Sequence, residues 1–177
     1  MQWTVHGERA IYESPWLRLA LADVEIPEGP RFDHHVVRMP RPAVGTIVVD
    51  AEGRVLLLWR HRFITDTWGW EIPAGGVDPI EGIEAAAIRE TVEETGWRPQ
   101  DLELLVSFHP TNGLSDQTFN VFLARGAELT GDPLDRAESE RIEWVSVADL
   151  RRFLRAGEVQ DGLSLAGLTY ALAFDAL

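Results

Sequence analysis

Apolar and polar positions change rhythm along the chain, and each change predicts a different element. Up to about Arg38 the pattern is that of short strands: Leu17 to Ile26 alternates in part, Pro27-Glu28-Gly29-Pro30 marks a turn, and Phe32 to Met39 reads as a second strand. These form a small antiparallel unit. Met39-Pro40-Arg41-Pro42 interrupts regular structure, so the expected division is an N-terminal β unit at 1–41 and a main domain at 42–177. Two continuous apolar runs, Gly45 to Asp50 and Arg54 to Arg60, flank Asp50-Ala51-Glu52-Gly53, which predicts a hairpin of strands buried on both faces. Phe63 to Trp70 reads as a polar and aromatic loop, and Glu71 to Val77 as a short strand breaking into glycines. Glu81 to Thr95 is the strongest helix, free of internal proline and stopped by Gly96. Leu102 to His109, Phe119 to Ala127 and Ile142 to Val145 read as strands, followed by helices from Val147 to Arg155, capped by Ser146, and from Leu163 to Phe174. The class is α/β or α+β, a mixed sheet covered by helices.

Composition narrows the chemistry. The 177 residues carry 16 basic side chains, all of them Arg, against 29 Asp and Glu, for a net charge of −13, and contain no Cys. A Schiff-base or phosphate-binding lysine, a thiol nucleophile, a disulfide framework and a zinc–thiolate site are therefore excluded. Such acidity disfavours nucleic acid and basic membrane contacts as partners. No apolar run approaches a membrane span and the first residues lack a signal-peptide core, so the expected setting is cytoplasmic.

Glu90, Glu93 and Glu94 fall at i, i+3 and i+4, on one side of the predicted helix, with Ala85, Ile88 and Val92 on the other. A glutamate-rich face alone is an ordinary solvated surface, and like charges at this spacing repel. Arg89 answers part of that repulsion by pairing with Glu93, and a hard divalent cation, which prefers oxygen ligands, is the other answer. The glycine-rich stretch ahead of the helix lets backbone approach a ligand closely.

Gly75, Glu81, Arg89, Glu90, Glu93, Glu94 and Gly96 stand as Gly-x5-Glu-x7-Arg-Glu-x-x-Glu-Glu-x-Gly, seven identities over 22 positions. This resembles the complete signature of the Nudix hydrolases; Thr91 departs from it where an aliphatic residue is usual. The resemblance implies an α/β/α sandwich around a mixed sheet. It also implies hydrolysis of a nucleoside diphosphate linked to another group, with Mg2+ or Mn2+ as cofactor. By the same resemblance Glu90 and Glu94 are the main metal ligands and Glu93 a further ligand or the residue orienting water. The Ala74 carbonyl completes a metal site, Arg89 orients the carboxylates, Glu81 has a structural or secondary metal role, and Gly75 and Gly96 are conformational.

Text outside the motif resembles the ADP-ribose and nucleotide-sugar pyrophosphatase branch: Trp70-Glu71-Ile72-Pro73-Ala74-Gly75, Arg60-His61-Arg62-Phe63, and the loop Phe108 to Gln117. That branch implies ADP-ribose, cleaved to AMP and ribose 5-phosphate, or a similar nucleotide sugar. Arg62 and then Arg60 are the candidate phosphate contacts, with an ion pair as the alternative for each; Glu71 and Trp68 complete the substrate-binding set. Trp3, Tyr12, Trp16, Trp70 and His109 are further aromatic candidates, with a core role as the alternative. Asn112 and Gln117 depart from the ADP-ribose pattern and keep open a GDP-sugar, a dinucleotide or a damaged nucleotide as substrate, while a non-catalytic ADP-ribose sensor is the reading from another class. A catalytic base on the late loop falls to Glu140, with Glu138 as runner-up. The N-terminal unit resembles an element exchanged between subunits, which implies a homodimer.

Overall fold

The computed structural model describes residues 1–134 and 139–177. The chain forms two compact units, one of Met1–Pro42 with His109–Thr118, the other of Ala43–Phe108 with Phe119–Leu177.

The first unit is an antiparallel meander of β1 (Thr4–Glu13), β2 (Arg18–Glu25) and β3 (Arg31–Arg38). Alternation along β2 buries Ala20, Ala22 and Val24 on one face. The segment His109–Thr118 is stitched to β3: the Val37 N–H donates to the Leu114 carbonyl at 2.8 Å, and the Asp116 carboxylate accepts from the Met39 N–H at 2.8 Å and from Arg38 at 3.3 Å. Gln117 is buried and spends its amide donors on the carbonyls of Arg41 and Thr118. A carboxylate could not donate those bonds. Glutamine at this position thus has a local packing role.

The second unit contains β4 (Ala43–Val49), β5 (Val55–Arg62), β6 (Thr67–Glu71), β7 (Ala74–Gly76), α1 (Ile83–Thr95), β8 (Trp97–Pro99), β9 (Leu102–Phe108), β10 (Phe119–Arg125), β11 (Ala127–Leu129), β12 (Arg141–Val145), α2 (Val147–Ala156) and α3 (Gly162–Ala173). Its main sheet runs β12-β5-β4-β10-β9, with β6 on β5 and β7 on β4; β10 is parallel to β4 and the other pairs are antiparallel. The sheet is thus mixed, as expected. β8 and β11 form a separate two-stranded ribbon. The apolar runs at Val44–Val48 and Val55–Leu58 are buried on both faces. On one face Val44 and Phe122 pack against Ala86 and Ala87 of α1; on the other, Ile47, Leu57, Trp70, Val121 and Leu123 pack against Leu150 and Phe153 of α2 and Leu163 and Leu168 of α3. This is the sandwich of helices on a sheet. Among the described residues, no helix is long and apolar enough to cross a membrane.

Two expectations change, and Trp97–Pro99, for which no element was expected, adds a third difference. The region read as a loop from Phe63 to Trp70 is a turn followed by a strand, because Thr67 to Glu71 pairs with β5 from Leu58↔Glu71 to Arg62↔Thr67. Trp97–Pro99 also pairs as a strand, too short to leave a periodic signal. On α1 the small residues Ala86, Ala87, Thr91 and Thr95 are buried, together with Glu94, whereas Ile88 and Val92 are half-buried and Ala85 is exposed. Thr91 fits this tight face because its hydroxyl donates to the Ala87 carbonyl at 2.7 Å.

Candidate active site

The site grows from the junction of β7 and α1. After β6, Ile72 and Pro73 turn the chain into β7, where Val44↔Gly75 and Gly45↔Ala74 pair with the central strand β4. The helix then returns across this edge. It has no side-chain N-cap, and Glu81 braces its entry by accepting from the Asp78 N–H at 2.9 Å. Gly96 ends it in the left-handed conformation at φ 75°, its N–H donating to Val92 at 2.8 Å. A Cβ on Gly96 would fall on the Gly131 carbonyl oxygen, so glycine is required here for both conformation and room.

Gly75 is required for room alone. Its φ is not positive, and an added Cβ would lie inside 3.0 Å of all three heavy atoms of the Glu90 carboxylate group. The conformational role expected for Gly75 is corrected accordingly: the missing side chain is the seat of Glu90. Burial raises the Glu90 pKa, against the pull of Arg89. Glu94 goes deeper, at 3% exposure. Its Oε2 accepts from the Ala74 N–H at 2.8 Å and its Oε1 from Arg60 Nη2 at 2.8 Å. Burial pushes its pKa to about 7 despite both partners.

Arg89 is the hub of the exposed side. One nitrogen donates to Glu90 at 2.8 Å and to Glu93 at 3.0 Å; the other reaches the Gly76 carbonyl at 3.0 Å and Glu81. Its pKa is raised, chiefly by the bond to Glu81, and the pKa of Glu81 is lowered by the same bond. The pairing expected between Arg89 and Glu93 is present, and Glu81 and Glu90 share it.

Arg60 and Arg62 lie on the same face of β5 but differ in role. Arg62 is half-exposed, holds Glu71 through two bonds, one of 3.0 Å from Nε, and lines a cleft of about 450 Å³ with Phe63, Thr65, Gln160 and Asp161. Arg60 is 3% exposed and engages Glu94 and the Ser139 hydroxyl, at 3.2 Å. Of the two readings open for Arg60, the structure shows the ion pair. Glu71 is likewise buried, with its carboxylate on Arg62 and 3.9 Å from Arg60 Nε, so it braces both arginines at the wall of the cleft that Arg62 lines. Trp68 is not brought to this group. Successive strand residues face opposite ways, and Trp68 stacks on Trp59 at 6.2 Å and meets His61 at 5.2 Å on the far face of the hairpin. Trp70 packs against Phe153 in the core. In the first unit, Trp3, His109 and Asn112 line a cleft of about 380 Å³ with His34 and Arg38. Glu140 is exposed, with its N–H on the Trp59 carbonyl at 2.9 Å; Glu138 lies outside the described residues. Ser139 carried no signal in the sequence, since a single loop serine has no periodicity to mark it.

The donor set is all oxygen, and the seat on Gly75 together with the buried Glu94 suits a hard divalent cation. Among the described residues, no three carboxylate or imidazole groups converge as a ready metal cluster; Arg89 lies between the motif carboxylates.

Residues 39–164 match the family model for a NUDIX domain, and residues 3–37 that for a nucleoside diphosphate sugar hydrolase N-terminal domain. The chain is 38% identical over 172 residues, 97% of its own length and 83% of the other, to CMP-5'-(N-acetyl-N-hydroxy-3-aminopropyl)phosphonate hydrolase of Streptomyces rubellomurinus. It is 28% identical over 173 residues, covering 97% and 93%, to the ADP-ribose pyrophosphatase of Bacillus subtilis. A crystal structure described as an ADP compounds hydrolase shares the fold, with a TM-score of 0.86 at 18% identity over 98% of this chain and 94% of the other.

Proposed function

The chain belongs to the NUDIX domain family, and from that premise we propose that it hydrolyses the diphosphate bond of ADP-ribose to AMP and ribose 5-phosphate, or that of a similar nucleotide sugar. One observation carries the reading. Glu90 seated on Gly75 and Glu94 held by the Ala74 N–H place two carboxylates of α1 against the same three-residue strand, β7. Glu90, Glu93 and Glu94, with Glu81 and the Ala74 carbonyl, would hold Mg2+ or Mn2+, which supplies neutralisation of the diphosphate and a more acidic water. Arg89 keeps the motif carboxylates in register. Arg62, which lines its cleft and is half-exposed, offers the planar cation suited to phosphate oxygens. Glu140 is the base that takes a proton from the attacking water as oxygen adds to phosphorus and the bridging P–O bond breaks. A homodimer belongs to the same reading, supported by β1, whose Val5, Ile11 and Tyr12 are exposed, as is Trp3 just ahead of it.

The 38% identity to the CMP-linked phosphonate hydrolase favours one other reading, a nucleotide joined to a phosphonate as the substrate. A panel with product identification separates them: ADP-ribose, ADP-glucose, GDP-mannose, NADH, diadenosine polyphosphates, nucleoside triphosphates and a CMP-linked phosphonate, each with Mg2+. AMP and ribose 5-phosphate are expected from ADP-ribose, abolished by EDTA and reduced by orders of magnitude in Glu93→Gln. Cleavage of the CMP compound alone would support the second reading, and turnover of none would refute both.

A further inference from the structure

Arg60 stands where three segments distant in sequence meet. It is at the far end of β5 and buried at 3% exposure, and its Nη2 donates both to Glu94 Oε1 at 2.8 Å and to Ser139 Oγ at 3.2 Å. One guanidinium nitrogen carries two hydrogens, so a single atom serves both partners. The neighbouring Trp59 carbonyl accepts the Glu140 N–H at 2.9 Å, and Arg141↔Trp59 opens the pairing of β12 with β5. Adjacent residues of one strand thus hold Glu94 from the helix and Ser139–Glu140 from the late loop. The other oxygen of Glu94 is fixed by Ala74. Glu71 also approaches Arg60, at 3.9 Å, and is itself held by Arg62. A buried carboxylate of this kind depends on its cation, because removing one member leaves the other uncompensated.

We propose that Arg60 is a positioning residue that ties the Glu94 carboxylate to the Ser139–Glu140 segment and so fixes the spacing between a metal-holding carboxylate and the loop that carries the base. It touches no substrate. This rests on the function proposed above. The planar fork matters as much as the charge, since a lysine ammonium lacks the two hydrogens in one plane that reach Glu94 and Ser139 together.

The test compares Ser139→Ala, Arg60→Lys and Arg60→Gln in the full chain. Steady-state kinetics with ADP-ribose are measured alongside Mn2+ binding by electron paramagnetic resonance in the absence of nucleotide. Supporting residues around a metal site are worth about 10- to 100-fold in activity or metal affinity. Ser139→Ala should lower kcat about tenfold, with KM and Mn2+ affinity within about twofold of the wild type. Arg60→Lys keeps the charge but loses the fork and should do the same. Arg60→Gln should also weaken Mn2+ binding about tenfold. A raised KM in the Arg60 variants with kcat and Mn2+ affinity unchanged would make Arg60 a substrate contact and overturn the proposal; so would wild-type kcat in Ser139→Ala. Should Arg60→Gln fail to fold by circular dichroism, the other two variants still decide. If the wild type cleaves no nucleotide, the proposed function fails separately, and unchanged Mn2+ affinity in Arg60→Gln would still overturn the positioning of Glu94.

Discussion

Replacing Gly75 by alanine is a test of the seat beneath Glu90. The backbone tolerates the change, because the φ of Gly75 is not positive. The side chain does not: the new Cβ lies inside 3.0 Å of the carboxylate carbon and both of its oxygens. Ordinary contact begins at 3.4 Å, so the carboxylate must retreat, and a displacement on the order of 1 Å at a catalytic group costs about 100-fold in rate. That corresponds to about 2.7 kcal/mol in the barrier. Stability should hardly move. Glu90 is the end of a flexible chain, and alanine at a permitted φ gains about 0.4–1 kcal/mol through the unfolded state, which offsets its displacement. The measurement is kcat and KM for ADP-ribose beside a thermal melt, with Gly76→Ala as control, since a Cβ there meets nothing within 4 Å. Gly75→Ala should lose about two orders of magnitude in kcat while melting within about 3 °C of the wild type. Near-normal turnover in Gly75→Ala, or an equal loss in Gly76→Ala, would refute the seat.

Burial raises the Glu94 pKa from 4.5 to about 7, so the folded chain binds this proton more tightly than the unfolded chain. The group therefore favours the fold most below its unfolded value, and its contribution declines as pH rises from 4.5 to about 7. In EDTA, urea denaturation should show a loss of up to about 3 kcal/mol between pH 5 and pH 8, largely cancelled by Mg2+. Metal-free stability that rises across this window would contradict the assignment. Gly96→Ala meets both a positive φ and the Gly131 carbonyl, and should cost at least about 2 kcal/mol, lowering Tm by about 4–8 °C. A Tm within 1 °C of the wild type, at about 2–4 °C per kcal/mol for a chain of this size, would show that the helix end relaxes freely.

The spacing of seven motif residues was enough to read Glu90, Glu93, Glu94 and Arg89 onto one helix, because that relation is local and repeats with the helical turn. The buried strands β4 and β5 were legible for a similar reason, as continuous apolar runs. What escaped depended on facing and depth. Arg60 and Arg62 share a strand face, yet one is sealed against Glu94 and the other is half-open, a difference set by α1 and β6 rather than by neighbouring letters. Trp68 was one residue out of phase with the arginines' face, which became visible only with the β5–β6 register. The apolar side of α1 was legible, but not that the sheet would take its small residues instead, a choice made by the close approach of β4, where the Thr46 hydroxyl reaches the Ala87 carbonyl at 3.3 Å.

The stitching of His109–Thr118 onto β3 has a consequence for heredity and engineering. Two stretches separated by some seventy residues of sequence share one hydrogen-bonded piece, in which Val37, Arg38 and Met39 bond to Leu114 and Asp116. A graft that imports only the loop, or only the first strands, from a relative with other tastes would mismatch donors and acceptors along this seam. The two stretches form a cassette to be exchanged together, and the Gln117 amide, clasping the backbone at Arg41, is its fastener.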